Sequence, residues 1–282
     1  MAVSASMVRE LRDKTGAAMM DCKKALDAAG GDMDAALDHL RKQGLKTAAK
    51  KAGRETSEGR VSASISDDGT AGAMVAVRCE TDFVANTEDF QSMMARYAAA
   101  ALAADLPAGE SAEAFTALPM GGSDVSEDLK QVVGRLGENI QISRVVRLAV
   151  DGGFVGVYIH HNFKVGAMAA VTTTKSKDEA QGLLGRLCQH IAFTKPAYRV
   201  PADVPEDVQQ REREVHLESD DVKSKPENIQ GKIVEGKMKA FFKDVCLEEQ
   251  AWIFDNGMSV AKAIQSELGP DAALAGYAVF EI

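Results

Sequence analysis

One short apolar strand occurs twice in this chain. Residues 72–77 read "GAMVAV" and residues 166–171 read "GAMAAV". Each is followed by a segment of the pattern Gln-x-apolar-apolar-x-Arg, "QSMMAR" at 91–96 and "QGLLGR" at 181–186. The apolar runs read as buried strands and the segments after them as helices. Strand and helix therefore recur in the same order about 90 residues apart, and two copies describe a duplicated α+β unit rather than a solenoid. A fold built on this chain has to accommodate two related halves.

The two copies differ in the connection between strand and helix. The first contains "RCETDFVANTEDF", residues 78–90, with an acid and a large ring side by side at Asp82-Phe83. Aligned on the strands, Asp82 falls opposite Ser176 and Phe83 opposite Lys177. The second copy makes its crossover without the pair, so the fold does not demand it. Either Asp82 caps a turn and Phe83 packs into the core, or the ring is a wedge presented to a partner with the carboxylate beside it.

The rest of the chain arranges itself around the duplication. Residues 4–44 read as three short helices: Ser4 caps the first, Thr15-Gly16 breaks it, Gly30-Gly31 stops the second, Asp32 caps the third and Gly44 ends it. Three helices in roughly 40 residues make a minimal bundle. "RKQGLKTAAKKAGR", residues 41–54, is rich in Lys and Arg and reads as a linker, either a solvated tether or a patch for an acidic surface. "RVSASIS" and "AGAMVAVRC" form a hairpin about Asp67-Asp68-Gly69. Residues 105–125 read as loop and 126–136 as a helix. Next comes an expected meander, "IQISRVVRLAV", "FVGVYIHH" and "KVGAMAAVTTT", then a helix over 178–192. Residues 205–245 read as a helical hairpin turning near Lys225-Pro226. Its first arm is highly charged, and its second carries Ile229, Ile233, Val234, Met238 and Phe241 at helical spacing, which predicts a protruding antiparallel coiled coil. Ser259 caps a last helix ended by Gly269-Pro270, and "GYAVFEI" is a closing strand. The expected division is 1–54 for bundle and basic linker, 55–139 for the first half of the core and 140–282 for the second, the hairpin included. The fold class is α+β.

Composition narrows the function. With 282 residues, 45% of them hydrophobic, the chain is long enough for two or three globular units. A formal net charge of −9 disfavours nucleic acid as the main ligand, because phosphate backbones need a positive surface. No run approaches the length of a membrane span and the N-terminus has no apolar core for secretion, so a cytoplasmic location is expected. Cys22, Cys79, Cys188 and Cys246 form no CxxC pair and read as reduced, buried thiols.

Catalytic and cofactor signals are lacking. There is no G-x-x-x-x-G-K-[ST] loop, no G-x-S-x-G and no H-E-x-x-H, and the glycines of "GGFVGVY" precede a strand rather than a helix. Neither a cofactor nor a metal is expected. His160 and His161 are adjacent, and on a strand they would face opposite sides, which argues against one metal held by both. Asp82 with His160 as an acid/base pair is a conceivable hydrolase, but no spacing supports it.

Several stretches in order resemble one family. They are "VRELRDKTGAAMMDCKKAL" at 8–26, "AAKKAGR" at 48–54, "ETDFVAN" at 80–86, "LGENIQISRV" at 136–145, "YIHHNFKVG" at 158–166, "TKPAY" at 194–198 and "IVEGKMKAFFKDVCL" at 233–247. The chain resembles the bacterial elongation factor Ts family, guanine-nucleotide exchange factors of elongation factor Tu. That resemblance implies a ubiquitin-associated-like N-terminal bundle, a core of two related halves and a projecting coiled coil. It also implies that Asp82 and Phe83 enter the nucleotide-binding domain of elongation factor Tu near its Mg²⁺ site. Arg12, Met19, Met20 and Lys23 would dock the bundle on the same domain. Lys51, Leu136 and Gly137 are implicated as well, together with one of His160 and His161. Some relatives continue beyond the closing strand into a further helix, a contact not expected here. The main alternative is an adaptor that binds a protein through the bundle without driving exchange. Such an adaptor has no use for Asp82-Phe83.

Overall fold

A computed structural model describes residues 3–107 and 109–282. The chain opens with α1 (Ala5–Thr15), α2 (Met19–Ala28) and α3 (Met33–Lys51). The Ser4 hydroxyl accepts from the Met7 N–H and Asp32 accepts from the Ala35 N–H, so both polar residues cap the helices they precede. Gly16 closes α1 at φ +67°, a left-handed conformation that costs glycine no Cβ clash. Leu11, Cys22, Ala25, Leu26 and Ala36 are fully buried among the three helices.

The first half of the core follows. β1 (Glu58–Ile65), β2 (Ala71–Cys79), α4 (Asp82–Ala85), α5 (Glu88–Ala103), α6 (Ala112–Thr116), β3 (Pro119–Met120), β4 (Ser123–Asp124), α7 (Val125–Leu136) and β5 (Ile140–Ala149) come in that order. The second half is β6 (Gly153–Ile159), β7 (Val165–Thr172), α8 (Lys177–Thr194), α9 (Glu206–Glu218), α10 (Asp220–Lys223), α11 (Glu227–Val245), β8 (Ala251–Trp252), β9 (Asp255–Ser259), α12 (Val260–Leu268) and β10 (Ala273–Glu281). The fold is α+β, with two antiparallel three-stranded sheets in the orders β1-β2-β5 and β10-β7-β6.

The duplicated strands are the centres of these two sheets, which explains their unbroken apolar character. Ala73, Val75 and Val77 of β2 face α5 and α7, and Ala167, Ala169 and Val171 of β7 face α8 and α12. The alternate residues Met74, Ala76, Met168 and Ala170 meet between the sheets, with Val61, Val146, Val155 and Phe280. Each central strand is thus covered on both faces, and helix, sheet, sheet and helix stack in four layers.

Two expectations need correction. The three strands after α7 do not form one meander. β5 pairs with β2 in the first sheet, and the turn at Asp151-Gly152 carries the chain across to the second. Alternation specifies a strand's faces but not its partner. Sheet pairing therefore puts β5 with the residues N-terminal to it, across the boundary expected at 139/140. Nor does Gly44 end the third helix. α3 runs on to Lys51, and Gly44 is the point where it crosses α7: a Cβ on Gly134 would stand 2.6 Å from the Gly44 Cα. The basic segment 41–54 is therefore largely helical and docked, with Arg41 paired to Glu127 at 2.6 Å.

The region 205–245 is a helical hairpin, α11 packing back on α9 and α10. Val222, Val234 and Met238 are buried in it, and α9 buries no residue. The loop expected over 105–125 also contains α6 and the small β3–β4 pair.

Candidate functional site

The connection from β2 to α5 spans residues 80–87, and the equivalent one from β7 to α8 spans only 173–176. The extra length in the first copy matches α4, a helix of four residues that begins with Asp82 and Phe83. One turn of helix has no stability of its own. It is held here from outside, by groups far away in sequence.

Thr81 is the N-cap, its hydroxyl accepting from the Val84 N–H. The same residue donates twice to one carboxylate: its N–H to Glu138 Oε2 at 3.0 Å and its hydroxyl to Glu138 Oε1 at 2.6 Å. Beside it, the Asn139 N–H donates to Glu80 Oε1 at 2.6 Å, and the Asn139 side chain donates to the Arg54 carbonyl at 2.7 Å. The Asn139 bond and the nearby Arg54 guanidinium hold Glu80 below the ordinary carboxylate pKa. Lys51 Nζ donates to the Gly137 carbonyl at the C-terminus of α7, where a cation also meets the negative end of the helix dipole. "ETDF", "LGEN" and the end of α3 therefore form one joint, in which Leu136 packs half-buried against the core of the first half.

On this support the Phe83 ring is 82% exposed. It does not pack into the core, and the N-cap is Thr81 rather than Asp82. Asp82 is exposed as well, with its carbonyl accepting from Asn86 Nδ2 at 2.8 Å.

The loop between β6 and β7 reaches the same neighbourhood. The Val61 N–H of β1 donates to the Phe163 carbonyl at 2.7 Å, and Lys164 pairs with Glu58 at 2.6 Å. Phe163 sits at φ +59°, rare for a non-glycine residue. β6 ends at Ile159, so strand alternation does not reach the histidines, and the rings of His160 and His161 lie side by side with centroids 4.1 Å apart. The Tyr158 hydroxyl meets His160 Nδ1 at 2.8 Å. Among the described residues no hydrogen bond joins Asp82 to either histidine, and no group of three His, Cys, Asp or Glu side chains is placed to hold a metal. His160 also borders a shallow groove of about 490 Å³ with Tyr158, Phe193, Lys195, Ile253 and Phe254.

The comparisons with known proteins bear on this arrangement. The family model described as "Elongation factor TS" matches residues 80–282. Proteins named elongation factor Ts match nearly the whole chain. That of Paramagnetospirillum magneticum is 39% identical over 99% of this chain and 91% of its own length. That of Syntrophotalea carbinolica is 40% identical over 100% and 93%, and that of Rhodopseudomonas palustris 42% identical over 95% and 87%. The chain belongs to the elongation factor Ts family. Its coarse function is accordingly that of a translation elongation factor.

In this elongation factor Ts family member the N-terminal candidates are on the outside of the bundle. Met19 and Met20 are 42% and 60% exposed, which takes them out of the bundle core, and Arg12 and Lys23 are exposed. Besides the Lys51 bond to the Gly137 carbonyl, the bundle is fixed to α7 by Gly44 on Gly134, Arg41 on Glu127, and Arg135 Nη1 on the Thr15 carbonyl at 3.4 Å. Lys51 and Gly137 of the sequence reading are bonded to each other, and Asp82 and Phe83 stand on the same joint. Sequence reasoning missed the residues that hold α4, namely Thr81, Glu138, Asn86 and Arg60. The bonds that join Asn86 to Arg60 and Thr81 to Glu138 span 26 and 57 residues, beyond any local pattern, although "TD" and "GEN" both lie inside stretches that carry the resemblance. All four cysteines are buried, and burial pushes the Cys79 and Cys188 thiols up to about 12, so neither is poised as a nucleophile. Among the described residues no helix is long and apolar enough to cross a membrane.

Proposed function

We propose that this chain is a guanine-nucleotide exchange factor that binds elongation factor Tu carrying GDP, promotes GDP release and so lets GTP enter. The observation that supports this most directly is the exposed Phe83 ring on a helical turn whose backbone is clamped by Thr81 and Glu138. A large apolar ring kept in water by the fold gains on binding, about 1.5–3 kcal/mol for full burial of such a side chain. It has only two torsions to freeze.

GTPases hold GDP through a phosphate loop and a Mg²⁺ ion bridging phosphate oxygens to protein. A rigid ring driven between elements near that site displaces them, and the Asp82 carboxylate beside it repels phosphate and competes for the donors and water that bind the ion. If the factor binds the distorted state better, nucleotide and factor weaken each other by one common factor, which accounts for exchange in both directions. Arg12, Met19, Met20 and Lys23 supply the bundle's contact, the methionines as adaptable apolar groups. Lys51, Leu136 and Gly137 border the wedge, and the His160-His161 loop provides a further contact. No covalent step, nucleotide site or cofactor of its own enters this reading, and the place of action is the cytoplasm.

The test is release of fluorescent GDP from elongation factor Tu with wild-type protein, Asp82→Ala and Phe83→Ala. Strong acceleration by the wild type, lost in Phe83→Ala while binding persists, is expected. Binding without acceleration by the wild type would replace this reading with the adaptor.

A further inference from the structure

Arg60 lies on β1, at the seam between α4 of the first half and the β6–β7 loop of the second. Its Nη2 donates to Asn86 Oδ1, and Asn86 Nδ2 in turn donates to the Asp82 carbonyl. Its guanidinium carbon also sits 4.3 Å from the centroid of the Phe163 ring. The loop carrying that ring is seated on β1 beside Arg60, through the Val61 N–H to Phe163 carbonyl bond and the Lys164–Glu58 ion pair. Residues of both halves thus meet on one planar cation. A guanidinium can do this because its edge donates hydrogen bonds while its face stacks on a ring. An ammonium cannot do both in the same way. Half-burial lowers the Arg60 pKa from its ordinary value, but a guanidinium stays charged at any working pH.

The consequence concerns the wedge. α4 has one turn, and its N-terminal end is held by the Thr81–Glu138 clamp. At its C-terminal end the Asn86 backbone N–H donates to the Asp82 carbonyl at 3.0 Å, its side chain adds a second bond to the same oxygen at 2.8 Å, and Arg60 sets where that side chain lies. We propose that Arg60 is a positioning residue for exchange, fixing the Asp82-Phe83 turn relative to the loop that carries His160 and His161. The inference rests on the exchange reading above. Arg60 acts through Asn86 and Phe163 rather than on the partner itself, so its loss weakens the insertion of the ring more than the docking of the protein.

The experiment measures fluorescent GDP release from elongation factor Tu at a series of factor concentrations, which separates the maximal rate from the half-saturating concentration. Arg60→Ala is expected to lower the maximal rate about fivefold and to move the half-saturating concentration by less than about twofold. Arg60→Lys, which keeps the charge and loses the planar fork, is expected to restore little of it. Asn86→Ala should reproduce the defect, and the double variant should be no slower than either single one, because both act through one link. Hydrogen exchange of the peptide spanning residues 80–87 should quicken in Arg60→Ala while peptides from α8 stay as in the wild type. A maximal rate unchanged in Arg60→Ala overturns the proposal, as do additive effects of the Arg60 and Asn86 changes. Two controls separate the readings: no acceleration by the wild-type protein removes the exchange reading itself, whereas exchange lost in Phe83→Ala alongside an active Arg60→Ala removes only the role of Arg60.

Discussion

Gly166 stands against Met74. A Cβ on Gly166 would lie 2.9 Å from the Met74 sulfur, and a Cβ on Gly72 would lie 2.8 Å from the Met168 sulfur. Each methionine follows its own glycine by two residues, so the two "GAM" triplets fill one another's gaps across the sheet interface. The repeat is therefore a packing device with approximate two-fold character, and each copy is needed by the other. Gly166→Ala would also bring its methyl group 2.6 Å from Val61 Cγ1 and 2.8 Å from Ile159 Cδ1. Over-packing of this kind costs about 1–3 kcal/mol. The urea midpoint of Gly166→Ala should fall accordingly with an unchanged slope, and a midpoint equal to wild type would mean that the interface is looser than described.

The legible part of this fold was the part written locally. Caps at Ser4, Asp32 and Ser259 lie within three residues of the amides they bind, and the doubled strand is an unbroken apolar run in both copies. Gly44 reads as a helix stop because a glycine that ends a helix and a glycine at a helix crossing are the same letter; only Gly134, on a helix 90 positions away in the chain, distinguishes them. β5 reads as a strand in the sequence, but its partner is set by the turn at Asp151-Gly152 and by the demand of β2 for a second neighbour. At the site, Asp82-Phe83 stood out as a pair that the second copy lacks. The carboxylate that holds it did not, since Thr81 and Glu138 are 57 residues apart.

Glu138 is expected to matter for exchange without being needed for folding. It accepts two bonds from Thr81, the hydroxyl one at 2.6 Å, and hydrogen bonds to a charged acceptor contribute about 1.5–3 kcal/mol. Removing it releases the N-cap of a single turn that cannot stand alone. Glu138→Ala should slow GDP release about three- to tenfold, and Glu138→Gln, which keeps one carbonyl acceptor, should lie between. Thermal unfolding should stay a single cooperative transition, shifted by an amount comparable with that of Gly166→Ala. Full exchange activity in Glu138→Ala would show that the turn keeps its place without the clamp.

His190 ties stability to pH. Its ring is fully buried and stacks on Trp252 with centroids 5.3 Å apart. The Ile253 N–H donates to Nδ1, so the proton is on Nε2, which donates to Gln250 Oε1 at 2.9 Å. Burial lowers the pKa below the ordinary 6.5, only partly opposed by the Gln250 bond. Between the folded and unfolded values the unfolded chain binds more protons, so stability rises with pH there. The contribution is complete above about 6.5 and is lost as pH falls towards the folded value. Urea midpoints of wild type should therefore fall more steeply from pH 7 to pH 5 than those of His190→Gln. Parallel profiles would place the acid sensitivity elsewhere.

Gly134→Ala tests whether the N-terminal bundle is a docked part of the molecule. The crossing of α3 and α7 leaves only 2.6 Å between a Cβ at position 134 and the Gly44 Cα, and backbone on both sides cannot yield as a side chain does. The helices must move apart, at an expected cost of about 1–3 kcal/mol. That separation pulls Lys51 away from the Gly137 carbonyl and Arg41 away from Glu127. The bundle keeps its own core of Leu11, Cys22, Leu26 and Ala36, and the two sheets keep theirs, so the damage falls on the joint. Trypsin should then cut after Lys51 and Arg54 sooner in Gly134→Ala than in wild type, with the fragment 55–282 persisting. Gly134→Ser should behave alike because any Cβ suffices. An unchanged cleavage rate at these two sites would mean that α3 is held to α7 by its ion pairs and not by the glycine contact.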